Sequence, residues 1–269
     1  MTTDALPTFE TIRLALQGGV ATLTLNRPQR LNAAPPQMFD EIRAALQQLP
    51  GLGARALLIT GEGRAFCSGA DLAGRGDAPA TGRGAGTFRA LTQHYNPTML
   101  ALAKLDMPVV TAVNGVAAGI GCSLALAADF TVAARSAYFL EAFVNIGLVP
   151  DGGTTWMLAR QIGKARATEM MMLGERIPAE KAEAWGLIHA AVDDAELMAR
   201  AGALAERLAN GPTRAYSLMR QGLIRAMAQT YEEGLATEAA HQAQCADSAD
   251  AREGGIAFLE KRKAHFKGQ

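Results

Sequence analysis

Residues 107–134 read MPVVTAVNGVAAGIGCSLALAADFTVAA. The opening PVVTAV is an unbroken apolar run of strand length, which fits a strand covered on both faces. Glycines at 115, 119 and 121 break the run, GIGCSLALAA continues at helical length, and DFTVAA returns to a β-rich pattern. A buried strand, a glycine turn, a short helix and another strand define an α/β fold built on parallel strands.

The same alternation extends outward. Upstream, TIRLALQ (11–17) and ATLTLNR (21–27) flank Gly18–Gly19 as an opening hairpin. APPQMFDEIRAALQQL (34–49) places Phe39, Ile42, Leu46 and Leu49 at helical spacing behind two prolines suited to a first turn, and ARALLITG (54–61) reads as another buried strand. Downstream, SAYFL (136–140) is a short strand and TTWMLARQI (154–162) a helix. Residues 74–87, GRGDAPATGRGAGT, are rich in glycine and poor in apolar side chains, the composition of a loop or lid. From about residue 195 the pattern is helical only. Leu197, Ala201, Leu204 and Leu208 form a stripe, and NGP at 210–212 combines a stop with a start. A boundary at 194/195 therefore separates an α/β part, 1–194, from a helical part, 195–269.

Composition excludes several classes. Lys plus Arg and Asp plus Glu are both 26, so no net field gathers nucleic acid or an anionic membrane surface. An anionic ligand needs a local cluster, and Lys261, Arg262, Lys263 and Lys267 in FLEKRKAHFKGQ (258–269) supply one, although such a run also reads as a solvated helix face. Three cysteines without CxxC spacing suit free thiols in a reducing compartment, hence a cytoplasmic location. No apolar stretch reaches the ~20 residues of a membrane span. HExxH, GxSxG and GxxxxGK[ST] are absent, and the four histidines are scattered. A dinucleotide fingerprint fails because Leu124 stands where the third glycine of GVAAGIGCSL belongs.

Three features remain. FCSGADL (66–72) and AAGIGCSL (117–124) each place glycines after a strand, where they serve tight turns and close packing, or bring backbone amides to a ligand oxygen. Spacing alone favours the turns. Asp151 in GLVPDGGTTW (147–156) is a turn former or helix cap by local pattern, while its apolar flanks suit a carboxyl of raised proton affinity. Cys67 and Cys122 read as core residues.

Taken in order and spacing, NRPQRLNA (26–33), GEGRAFCSGADL (61–72), AVNGVAAGIGCSLALAADF (112–130), GLVPDGGTTW and FLEKRKAHF (258–266) resemble the enoyl-CoA hydratase/isomerase family, the crotonases, from about residue 8 to the end. The resemblance implies a spiral core of ββα units, a C-terminal helical trimerisation region, an acyl-CoA thioester as substrate and no separate cofactor. It implies that the amides of Ala70 and Ile120 hold the thioester carbonyl, that Arg30, Leu31, Ser68, Asp71 and Leu72 line the adenine side, and that Lys261 meets the CoA 3′-phosphate. It also implies a homotrimer or hexamer.

Departures from the family pattern are informative. The two glutamate positions of the hydratases hold Ser123 and Phe143 here, and Glu141 stands two residues out of register. Asp151 matches the acid/base position of the dienoyl-CoA isomerases and the 1,2-epoxyphenylacetyl-CoA isomerases, which also share YNP at 95–97. The expectation is an isomerase that shifts a double bond or opens a ring epoxide. The alternatives are a hydratase, an aryl-CoA dehalogenase or hydrolase with Asp151 as nucleophile, and a non-catalytic CoA- or RNA-binding relative.

Overall fold

The computed structural model describes residues 6–73 and 82–269. Strands β1 (Ile12–Gln17) and β2 (Val20–Leu25) form the expected hairpin. Helix α1 (Pro36–Gln48) starts on a proline and buries Phe39, Ile42 and Leu46. The chain then alternates between two sheets. β3 (Ala56–Gly61), β5 (Val109–Val113), β7 (Phe130–Ala134) and β10 (Ala190–Val192) extend the hairpin in the order β1-β2-β3-β5-β7-β10, all parallel beyond β2. β4 (Ala65–Cys67), β6 (Val116–Ala118), β8 (Tyr138–Leu140) and β9 (Ile177–Pro178) make a second sheet in which only β9 runs antiparallel. β3, β5 and β7 of the large sheet thus each turn directly into a small-sheet strand, β4, β6 and β8, which is the ββα spiral.

Those corners need residues without bulk. A Cβ at Gly61 would lie 2.2 Å from the Ala65 carbonyl oxygen, and one at Gly115 2.2 Å from that of Arg64. The two corners are laced together by Asn114, whose side chain donates to Gly61 and Gly63 and accepts from the Gly61 amide.

Helix α2 (Arg83–Ala90) begins inside the stretch expected to be loop, and the rest of that expectation, 74–81, lies outside the described residues. One π-helical turn (Leu91–Tyr95) joins α2 to α3 (Asn96–Ala103). α4 (Ile120–Leu126) follows β6, and α5 (Thr154–Gln161), α6 (Gly163–Leu173) and α7 (Ala179–Ala184) follow β8. Beyond the change of pattern at 195, α8 (Leu197–Ala209) packs across β3, β5 and β7 and buries Leu197, Ala201, Ala205 and Leu208 in the core. α9 (Thr213–Ala226), α10 (Tyr231–Ala246) and α11 (Ala249–Leu259) form the outer helical layer. Arg220 ties α9 to the core through Asp129 at 2.6 Å and the carbonyls of Leu102 and Leu105. No helix among the described residues is long and apolar enough to cross a membrane.

Candidate active site

The first wall comes from the loop after β2. Leu31 and Asn32 both adopt left-handed backbone, at φ 51° and 54°, and Asn32 is fully buried. Its side chain accepts from the Arg27 amide at 2.8 Å and donates to the carbonyls of Glu62 and Ala65, which replaces the solvent the loop gives up. This brings Ala34 beside Ala70 in a single parallel bridge. Ala34 donates to the Gly69 carbonyl at 2.8 Å and accepts from the Asp71 amide at 3.0 Å. The bridge uses the groups on either side of Ala70, and the Ala70 amide has no backbone acceptor among the described residues. Tyr95, from the π turn, donates its hydroxyl to the Ala34 carbonyl at 3.0 Å and packs on Phe39 with ring centroids 4.7 Å apart. Tyr95 thereby steadies the bridge that holds Ala70.

The second wall is the turn from β6 into α4. Gly119 sits at φ 51°, ψ −129°, and its amide is held by the Leu140 carbonyl of β8 at 2.9 Å. Ile120 is the first helical residue, so its N–H is one of the amides that a helix start leaves without an internal acceptor. Gly69, at φ 107°, abuts this turn: a Cβ at Gly119 would be 3.8 Å from the Gly69 Cα. Gly121 serves packing, since a Cβ there would sit 2.5 Å from the Cys67 carbonyl oxygen. The packing reading of the glycines therefore holds at Gly121, while the turns at Gly69 and Gly119 leave the amides of Ala70 and Ile120 without a backbone acceptor among the described residues.

The third wall is the elbow. Gly152 and Gly153 both have positive φ, 64° and 88°, and a Cβ at Gly152 would meet Ile120 Cδ1 at 2.5 Å and Ser123 Cβ at 2.7 Å. The elbow is pinned by hydroxyls. Ser123 Oγ donates to the Asp151 carbonyl at 3.0 Å and lies 2.5 Å from Thr154 Oγ1, which reaches the same carbonyl at 2.8 Å. Asp151 is not a side-chain cap for α5, because Gly153 occupies the cap position. Ala70, Ile120 and Asp151 all line one cavity of about 120 Å³, together with Ser68, Phe143 and Tyr95. Phe143 presents an apolar ring to the cavity, 3.6 Å from the Cβ position of Gly119.

Glu141 is not among the lining residues of that cavity. It is fully buried, and neither carboxylate oxygen has a hydrogen-bond partner among the described residues. Burial pushes its pKa up to about 8; the adjacent Cys122 thiol opposes the shift without reaching hydrogen-bond geometry, and the negative charge of Asp151 adds to it. Cys67 and Cys122 are core residues: burial raises Cys67 to about 11, and burial followed by the charge of Glu141 raises Cys122 well above the ordinary thiol value. Neither is a thiolate nucleophile near neutral pH.

Of the residues expected to meet CoA, only part line the cavity. Ser68 and Leu72 line the cavity, and Leu72 is half exposed. Arg30 is exposed, Leu31 forms the left-handed end of its turn, and Ser68 donates its amide to the Leu31 carbonyl at 3.0 Å. Asp71 accepts from the Ala73 amide and pairs with Arg27 at 2.8 Å, and these two contacts hold its carboxyl below the ordinary range. Arg27 and Asn32 escaped the sequence reading, and only their place inside NRPQRLNA could have signalled them. Lys261 is exposed at φ 54°, outside the cavity lining. The tail beyond it is tied down by Arg55 on the Phe266 carbonyl and by Asp250 on the amides of Lys267 and Gly268.

A family model described as enoyl-CoA hydratase/isomerase matches residues 15–269. A protein of Rhodobacter capsulatus named "Probable enoyl-CoA hydratase" is 45% identical over 97% of this chain and 99% of its own. The 1,2-epoxyphenylacetyl-CoA isomerase of Escherichia coli K12 is 44% identical over 97% of this chain and 100% of its own. Among solved structures, an enoyl-CoA hydratase from Bacillus anthracis superposes with a TM-score of 0.90 at 30% identity, covering 97% of this chain and 100% of that one. The chain belongs to the enoyl-CoA hydratase/isomerase family, has the crotonase fold, and is an enzyme of that family.

Proposed function

We propose that the protein is an acyl-CoA isomerase that moves a proton between carbons of a CoA thioester, shifting a double bond or opening a ring epoxide, with Asp151 as its acid/base. The observation that carries this reading is that Asp151 is the one carboxylate lining the cavity among the described residues, while Phe143 and the buried, hydrogen-bonded Ser123 occupy the positions of the hydratase glutamates. Hydration needs a water held for attack between two carboxylates. A proton shift needs one group that takes a proton at one carbon and returns it at another.

The amides of Ala70 and Ile120 supply the other half. Aimed at the thioester oxygen, they stabilise the enolate charge that acidifies the α-carbon and, through conjugation, the γ-carbon, at a typical ~3–4 kcal/mol per donor. CoA enters as part of the substrate, and the chemistry uses no further cofactor. The named activity of the Escherichia coli relative supports the ring-epoxide variant, and that of the Rhodobacter relative favours water addition as the second reading.

The helical layer supports a homotrimer, or a hexamer of paired trimers. α9 and α10 enclose a largely apolar groove of about 910 Å³, and Met219, Leu223, Tyr231 and Leu235 stand exposed beside it. In such an assembly the basic tail of one protomer, Lys261 included, reaches a CoA site. The three free cysteines agree with a cytoplasmic setting.

The test is incubation with 3-enoyl-, 2-enoyl- and ring-epoxide CoA thioesters, with products identified by mass and ultraviolet spectrum. Rapid conversion of crotonyl-CoA to 3-hydroxybutyryl-CoA, with no isomerisation of any thioester, would replace the isomerase reading with the hydratase one.

A further inference from the structure

Glu141 is the one acidic side chain among the described residues that is fully buried with both oxygens lacking a hydrogen-bond partner. Burying a carboxyl in this way is costly, and an amide of the same shape would remove the ionisable group. Its place in the fold is specific. It directly follows β8, whose Leu140 carbonyl holds the Gly119 amide at 2.9 Å and so fixes the turn that presents Ile120. Its carboxyl rests against α4 at Cys122, and the next residue of α4, Ser123, holds the backbone of Asp151. The end of β8, α4 and the elbow therefore converge on one carboxyl behind the catalytic wall. The ionisable groups that act on it are the Cys122 thiol from α4 and the Asp151 carboxylate from the elbow, and no Lys, Arg or His forms an ion pair with it among the described residues.

We propose that Glu141 is a positioning residue for the isomerisation, a buried carboxyl whose charge state sets the proton affinity of Asp151. The inference rests on the reading of Asp151 as the acid/base. Electrostatic coupling between two titrating groups is reciprocal: the Asp151 charge raises the proton affinity of Glu141, so an ionised Glu141 raises that of Asp151 equally. At neutral pH Glu141 holds its proton and the pair carries one negative charge, on Asp151. When Asp151 takes the substrate proton, the charge passes to the thioester enolate held by the two amides, and it comes back when Asp151 returns the proton. Above about pH 8 Glu141 loses its proton, and Asp151 becomes a stronger base for the first transfer.

The experiment compares kcat/KM from pH 6 to 9.5 for the wild type, Glu141→Gln and Asp151→Asn, with a 3-enoyl-CoA as probe. The wild type should rise through an inflection near pH 8. Glu141→Gln should lack that inflection, which loss of packing alone would not remove. As a check independent of the variant's folding, the carboxyl carbon-13 resonance of Glu141 in the wild type should titrate near pH 8, and at lower pH in Asp151→Asn, where the neighbouring charge is gone. An inflection that persists in Glu141→Gln, or a Glu141 resonance that titrates at the same pH in both proteins, overturns the inference while leaving Asp151 in its role. An Asp151→Asn enzyme as active as the wild type overturns the acid/base reading itself, and the role of Glu141 with it.

Discussion

Replacing Glu141 with Gln should make the protein more stable, and increasingly so as pH rises. The folded pKa is about 8 against about 4.5 for an ordinary glutamate, so between these values the folded chain holds a proton that the unfolded chain has released. Stability from this group is therefore full below pH 4.5 and falls with rising pH until the folded carboxyl also ionises. The slope is about 1.4 kcal/mol per pH unit. From pH 5.5 to 7.5 the wild type should lose about 3 kcal/mol relative to Glu141→Gln, a change in melting-temperature difference of about 6 to 12 °C for a chain of this size. Thermal unfolding of both proteins at several pH values, at one fixed protein concentration because association contributes to stability, reads the difference directly. Two curves that stay parallel from pH 5.5 to 7.5 would refute the claim that Glu141 is buried and protonated.

Asp151→Asn should leave the fold and thioester binding intact while lowering kcat at least about a hundredfold, measured by steady-state kinetics beside a binding isotherm. Gly152→Ala should cost about 2 to 4 kcal/mol in urea unfolding and reduce kcat, because its Cβ arrives 2.5 Å from Ile120 Cδ1 at a φ of 64° and must displace either the Ile120 turn or the elbow. Lys261→Ala should weaken CoA thioesters by about tenfold or more while sparing dephospho-CoA thioesters, as judged by calorimetry; equal losses would leave the tail's charge as a solvated face.

The elements were legible because their signals are local. Phe39, Ile42, Leu46 and Leu49 follow a 3.6 period and are all buried, and the strands flanking α4 follow the apolar runs. The turns that carry Ala70 and Ile120 were legible only in part. Glycine spacing shows a turn but not which turn faces a ligand, and it is the bridge between Ala34 and Ala70, 36 positions apart in the chain, that leaves the Ala70 amide unused. The start of α2 was missed because glycines at 82, 84 and 86 argue for loop by propensity. Glu141 gave no sign of its burial, since its local pattern, a polar residue after an apolar triplet, is that of a strand end emerging into solvent.

Ser123 shows why the family pattern and the geometry must be combined. From the pattern alone it is the absence of a carboxylate. In the fold its hydroxyl, fully buried, links the Gly119 carbonyl at 3.3 Å, the Asp151 carbonyl at 3.0 Å and Thr154 Oγ1 at 2.5 Å, joining the turn behind the Ile120 amide to the elbow that carries Asp151. A glutamate there could not make these contacts without displacing Thr154, and Gly152 already leaves no room for a Cβ beside Ser123. The exchange therefore does more than remove a second carboxylate. It sets Asp151 against α4, so that the group proposed to move the proton and one of the amides proposed to hold the charge belong to one unit, joined by a hydrogen-bonded hydroxyl.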